Sequence, residues 1–319
     1  MTYVIVHALA PIFVIMLLGF FAGKAKMVDN KNVSLLNIFV MDFALPAALF
    51  SATVQTPWLG IVQQSPLIVV LVLSMWITYA AIYFLATSVF KKSPQDAAVL
   101  TLTVALPNYA ALGLPILGSV LGEGSSTSLS VAVSIACGSV LMTPFCLLIL
   151  EREKARAAGE NTSSTLTMLP VLMWRSVKKP IVWGPLLGVV LSAVGVRMPD
   201  LLLASIKPLG LAATAAALFL TGVILSARKL QINTMVITAT VTKLLIQPFI
   251  AWGIVLALGL TGPVAITSIL MIALAAGFFG VVFGNRFGVQ SPDAEAVLLL
   301  SSVLSILSLP LFITLTSGI

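Results

Sequence analysis

Apolar residues in this chain come in long unbroken runs rather than in the stripes of a surface helix. Ten stretches are near the roughly 20 residues that a helix needs to cross a hydrocarbon core of about 30 Å. They cover 4–22, 33–54, 67–90, 97–121, 128–150, 178–196, 203–227, 232–260, 264–286 and 294–316. Charge is confined almost entirely to the gaps between them. The pattern predicts an all-α polytopic membrane protein of ten transmembrane helices.

Composition points the same way. Of the 319 residues 60% are apolar and 8% charged, and the mean hydropathy is +1.14. A soluble domain needs about 25% charged residues to coat its surface, so a soluble enzyme and a disordered chain are poor readings. The net charge of +7 does not signal nucleic acid, because the basic residues flank apolar runs instead of forming a patch. Cys137 and Cys146 lie too far apart on one helix for a disulfide, and no Cys/His cluster suggests a metal. Lys24 and Lys26 follow the first run and nothing basic precedes it, so it is expected to stay as a helix rather than be cleaved.

The basic residues set an orientation. With the N-terminus outside, 14 of the 17 fall in inner gaps: Lys24, Lys26, Lys31, Lys91, Lys92, Arg152, Lys154, Arg156, Arg175, Lys178, Lys179, Arg228, Lys229 and Arg286. Arg197 lies in an outer gap, Lys207 near the outer end of its run and Lys243 well within a run. This alternation obeys the positive-inside rule and places both termini outside a cytoplasmic (inner) membrane. The charged and polar stretch 151–177 reads as an inner linker that divides the chain into halves 1–150 and 178–319.

The halves echo one another at a nearly constant offset. Pro11-Ile12 and Leu17-Leu18-Gly19 recur in the same register as Pro180-Ile181 and Leu186-Leu187-Gly188. Ala48-Leu49-Phe50 recurs as Ala217-Leu218-Phe219, Ala105-Leu106 as Ala273-Leu274, and Pro144-Phe145 as Pro310-Leu311. Five spans per half is odd, so the second half must enter the membrane from the opposite face. Inverted repeats of this kind place a substrate site at their interface near mid-membrane.

The fourth run reads Leu106-Pro107-Asn108-Tyr109-Ala110-Ala111-Leu112-Gly113-Leu114-Pro115. A proline inside a helix costs about 3 kcal/mol or more, and the backbone groups it frees cannot be left in lipid. The segment is therefore expected to be unwound over both prolines, interior and functional, with half-helix dipoles facing the break. The ninth run, at the equivalent place, reads Ala275-Ala276-Gly277-Phe278-Phe279-Gly280, small and flexible but without proline.

The stretch Leu106-Pro107-Asn108 through Gly113-Leu114-Pro115-Ile116-Leu117 resembles the fourth-helix signature of the auxin efflux carrier family. Ala44-Leu45-Pro46-Ala47-Ala48-Leu49-Phe50 and Leu309-Pro310 fit the same family, and the likeness covers nearly the whole chain. Among bacterial members it is similar to the malonate carriers that accompany malonate decarboxylase. The resemblance implies two inverted five-helix repeats with broken, crossing helices 4 and 9, a sodium/proton antiporter-like elevator fold. It further implies a scaffold domain (helices 1, 2, 6, 7), which mildly favours a homodimer, and a sliding transport domain (helices 3–5, 8–10). The plant carriers have a proline near the ninth-helix break, where this chain has Gly277-Phe278-Phe279-Gly280.

Candidate substrate contacts are then Pro107, Asn108, Tyr109, Gly113 and Pro115 from the fourth run and Gly277, Phe278 and Phe279 from the ninth. Ser134 and Ser305 are weaker candidates, since intramembrane serines usually bond their own helix. The titratable groups singled out within the runs are His7, Asp42 and Lys243. A buried charge costs roughly 2.5–3.5 kcal/mol at least, so Asp42 and Lys243 are expected either to pair in one conformation and part in another, coupling protonation to movement, or to meet separate partners. Lys243 could instead face the substrate. His7 reads as an interfacial histidine. No GxxxxGK[ST] stretch is present, so ATP hydrolysis is not expected. The expected activity is secondary transport of a small carboxylate, malonate first, with no cofactor and with proton or sodium as candidate coupling ions. Another mono- or dicarboxylate or an auxin-like acid is the alternative, an anion channel a weaker one, and a membrane-embedded enzyme lacks a catalytic cluster.

Overall fold

The computed structural model describes residues 2–30, 33–55, 62–122, 124–157, 170, 174, 178, 180–196, 198–227 and 231–318. Every element named among them is helical. The helices are α1 (Thr2–Lys24), α2 (34–54), α3 (Ser65–Val89), α4 (Pro94–Ala105), α5 (Tyr109–Leu121), α6 (125–157), α7 (Pro180–Ala193), α8 (Asp200–Ser226), α9 (Thr234–Ala257), α10 (Gly262–Ala273), α11 (Phe279–Arg286) and α12 (Pro292–Thr316). Six of them, in α2, α3, α6, α8, α9 and α12, are long and apolar enough to cross a membrane. Four shorter apolar helices lie in α1, α5, α7 and α10. The chain is a multi-pass, all-helical membrane protein, and bulky apolar side chains such as Leu18, Phe21, Leu201 and Leu211 stay exposed on its outside.

Helix ends fall within a few residues of the expected boundaries except at α6, which runs on to Ala157. Its last turn carries Lys154 and Arg156, cations that suit the negative end of a helix dipole. The expected linker 151–177 is corrected in its first part, since 151–157 belong to α6, and most of 158–177 lies outside the described residues.

Proline is accommodated in a consistent way. Pro46, Pro115, Pro144 and Pro248 each sit two residues past a widened π-helical turn: 39–44, 109–113, 138–142 and 242–246 respectively. Proline lacks an N–H and clashes with the carbonyl four residues back. A π turn carries its bonds one residue further along and so relieves both problems without breaking the helix. The expectation of an unwound segment through Pro115 is corrected on this ground: the break spans only 106–108, and α5 continues through Pro115.

Two sets of helices emerge from the packing. α1 lies along α8, and α2 is clasped between α7 and α8. In the other set α4 is surrounded by α3, α6, α11 and α12, while α9 and α10 pack on α3 and on α12. Contacts of α2 and α7 with α6, and of α1 and α8 with α5, join the sets.

Within the first set the close approaches come in matched pairs. A side chain at Gly19 would strike the carbonyl of Phe219, and one at Gly188 would strike Thr53 Oγ1 and meet the Phe50 carbonyl oxygen at 3.0 Å. Gly188 is the echo of Gly19 in the second half, and Phe219 is the echo of Phe50 at the same offset. Gly23 likewise faces Ser226, so the Gly19-x-x-x-Gly23 pair packs helices within one chain.

Candidate functional site

Ser93 starts α4 by accepting the Asp96 N–H at 3.2 Å. From Ala97 onward α4 is apolar or hydroxylated all round and wholly buried, and burial continues unbroken to Gly113. The helix stops because Pro107 disfavours helical dihedrals at the residue before it: Leu106 is extended, at φ −98° and ψ 107°. α10 stops at Ala273, with Leu274 at φ −58° and ψ 153°. Residues 267–278 are also continuously buried.

The two interruptions cross and pair. Pro107 and Ala276 form an antiparallel bridge, one residue away from the register of the Ala105-Leu106 and Ala273-Leu274 echo. The Asn108 N–H donates to Ala275 O at 2.9 Å, and the Gly277 N–H donates to Leu106 O at 2.9 Å. Exchanging 106 for 275 and 108 for 277, each 169 residues apart, turns one of these bonds into the other. Gly277 is required here because a side chain would collide with the Leu106 carbonyl.

A broken helix inside a membrane must find partners for its loose backbone ends, and most can be traced. The Ala105 carbonyl accepts from Gln247 Nε2 at 2.8 Å. The Ile272 carbonyl accepts from Lys243 Nζ at 3.1 Å, and the same ammonium donates to Gln247 Oε1 at 2.6 Å. The Ala276 N–H donates to Ser301 Oγ at 3.1 Å. At the start of α5 Asn108 Oδ1 accepts the Ala111 N–H at 3.4 Å. Only the amide oxygen can accept that proton, so the amide nitrogen must point elsewhere. Asn108 Nδ2 is buried and, among the described residues, has no partner.

Such an orphan is costly: an unsatisfied buried donor costs about 1–3 kcal/mol. Carried on the N-terminal end of a half-helix, it favours an acceptor bearing negative charge.

The other candidates are distributed around this point. Tyr109 begins α5 and turns its hydroxyl to Met75 Sδ at 3.6 Å on α3. Gly113 is buried, and a side chain there would press on Val131 and Met271. Pro115 is half-buried, one helical stretch beyond Asn108. Phe278 and Phe279 stack on one another with ring centroids 5.1 Å apart. Ser134 and Ser305 donate to Ser130 O and Ser302 O, both at 2.7 Å, on their own helices; Ser301 is the α12 serine that reaches the crossing. In this conformation Asp42 is exposed on α2, and Lys243 is wholly buried on Gln247 and Ile272, so the pair is not made. The side chain of His7 lies outside the described residues. Gln247, absent from the sequence-based candidates, holds the centre; its position one turn after Lys243, on the same helix face, was the available signal.

Comparisons with known proteins place this geometry in context. The family model described as membrane transport protein matches residues 4–313. "Uncharacterized transporter YfdV" of Escherichia coli (strain K12) is 28% identical over 305 residues, 96% of this chain and 95% of that protein. "Putative malonate transporter" of Rhizobium meliloti (strain 1021) is 25% identical over 303 residues, 93% of this chain and 91% of that protein. An uncharacterized transporter of Methanothermobacter thermautotrophicus is 26% identical over 308 residues, covering 94% and 95%.

Proposed function

Because the chain belongs to the membrane transport protein family, that of the auxin efflux carriers, we propose that it is a secondary carrier of a small organic anion, with the carboxylate bound at the crossing of the fourth and ninth spans. The observation that carries the reading is the buried, unpartnered Nδ2 of Asn108, held at a half-helix N-terminus beside the paired interruptions. A carboxylate oxygen would satisfy that donor, and the half-helix N-terminus beside it favours an acceptor that carries negative charge.

The architecture we propose is ten spans in two inverted five-helix repeats, α4–α5 forming the fourth and α10–α11 the ninth. It is supported by the bonds and close approaches that recur at one shared offset between the halves. Repeats related by a two-fold axis in the membrane plane exchange roles when the site faces the other side. The site is buried from both sides here, so loading requires movement. We assign that movement to an elevator slide of α3–α6 and α9–α12 against a scaffold of α1, α2, α7 and α8. The scaffold's exposed apolar face suits lipid or a second copy, and a homodimer is proposed there. The distribution of basic residues supports a topology with both termini outside the inner membrane of a bacterium. Malonate heads the substrate list because a relative bears that name, with other mono- and dicarboxylates behind it; proton or sodium coupling and an Asp42–Lys243 pair in another conformation remain part of the proposal.

Purified protein in proteoliposomes, given malonate, succinate, acetate and an indole acid with and without pH and sodium gradients, tests this directly. Saturable uptake of at least one acid is expected, with loss of about tenfold or more in Asn108→Ala and in Asn108→Asp, which keeps the helix cap but replaces the donor by an acceptor. Normal transport by Asn108→Ala overturns the site, and non-saturable flux favours a channel.

A further inference from the structure

We infer that Lys243 and Gln247 act as one two-headed positioning unit that joins the carbonyl ends of both broken helices and supplies the positive charge selecting an anion at the crossing. The inference deepens the carboxylate reading and rests on it for the ligand alone. α4 and α10 each end at the crossing with a row of carbonyls, the negative end of a helix dipole. Gln247 Nε2 takes Ala105 O from the first, and Lys243 Nζ takes Ile272 O from the second. The 2.6 Å bond from Lys243 to Gln247 Oε1 ties the two heads together. One turn of α9 thus holds two interruptions that are far apart in sequence.

Both residues are fully buried, and among the described residues no carboxylate forms an ion pair with Lys243. An ammonium has three donors, two of them used here. Ala105 lies just before the break that carries Asn108, and Ile272 lies just before Ala275, which accepts the Asn108 N–H. The charge therefore sits within the crossing that carries the orphan amide. A substrate anion completes the charge balance that the fold leaves open.

The test uses purified full-length protein and the variants Lys243→Met, Lys243→Arg, Gln247→Leu and Lys243→Met/Gln247→Leu. Thermal unfolding without ligand reads the joint. Each single neutral variant should melt lower than wild type, and the double should lose less than the sum of the two singles, because the 2.6 Å Lys243–Gln247 bond is lost in either. Strictly additive losses overturn the joint.

Malonate and its uncharged analogue malonamide, followed by ligand-induced shift of the melting curve, read the charge. Lys243→Met should weaken malonate by about tenfold, the order of a charge–charge attraction across a partly screened site. Malonamide should be unchanged and Lys243→Arg should restore malonate. Equal malonate affinity in the Met and Arg variants overturns the charge assignment. If wild type binds none of the carboxylates in the panel, the proposed function falls, while the joint is still decided by the melting cycle.

Discussion

Gly277→Ala is the sharpest perturbation of the crossing. The Gly277 N–H donates to both Leu106 O at 2.9 Å and Thr103 O at 3.1 Å, so its Cα is drawn tightly against the opposite chain. An added Cβ would overlap the Leu106 carbonyl oxygen and lie 3.2 Å from Pro107 O. Both obstacles are backbone and cannot rotate away. To reach an ordinary carbon contact of about 3.5 Å the crossed segments must part by roughly 1 Å. That movement weakens the matched pair of bonds between 106–108 and 275–277, each a buried bond whose loss costs about 1–3 kcal/mol, for a total of about 2–6 kcal/mol. The control is Gly253→Ala on α9, where an added Cβ meets nothing within 4 Å and helix propensity gains up to about 1 kcal/mol. Unfolding in detergent and uptake in proteoliposomes are the two assays. Gly277→Ala should be clearly destabilised and transport poorly, with Gly253→Ala near wild type. Indistinguishable behaviour of the two variants would refute the close crossing.

Three further outcomes follow from named contacts. Gly19→Val should lower stability because its Cβ would strike the Phe219 carbonyl oxygen, and Gly188→Val because its Cβ would strike Thr53 Oγ1 and press on the Phe50 carbonyl oxygen at 3.0 Å; detergent unfolding reads both, and wild-type stability in either variant argues against that close approach. Lys92→Ala removes the 2.6 Å ion pair with Asp293, whose side chain is 8% exposed and keeps only the 2.7 Å bond from Asn233 Nδ2. Because Lys92 is itself 34% exposed, the loss should be about 1–2 kcal/mol, partly recovered when Asp293→Asn is added. Pro115→Ala should leave stability and uptake close to wild type because the π turn already absorbs that proline, whereas Pro107→Ala frees Leu106 to continue α4 and should abolish uptake.

Much of the fold is legible in the sequence because a bilayer allows so few solutions. Uninterrupted apolar length fixes the helices, and boundary errors concentrate where charge continues a helix, as at Glu151–Arg156 of α6. The repeat was readable as short echoes such as Leu17-Leu18-Gly19, and the echoed glycines prove to be the points where backbones touch. The break at Leu106–Asn108 was readable from Pro107, whereas the fate of Pro115 was not. Whether a proline breaks a helix or is absorbed by a π turn depends on what the freed carbonyl meets in three dimensions. The same reason hides Gln247: an amide in an apolar run signals a partner without naming it, and its partners lie 142 residues away at Ala105 and one turn back at Lys243. Lys243 was singled out for its charge, yet its acceptors are an amide and a carbonyl rather than Asp42.

A high-resolution density map of the purified protein with malonate tests the central claim most directly. It should show helices interrupted at 106–108 and 274–278, with a carboxylate oxygen within hydrogen-bond distance of Asn108 Nδ2. Continuous helical density through either interruption, or ligand bound away from Asn108, would contradict it.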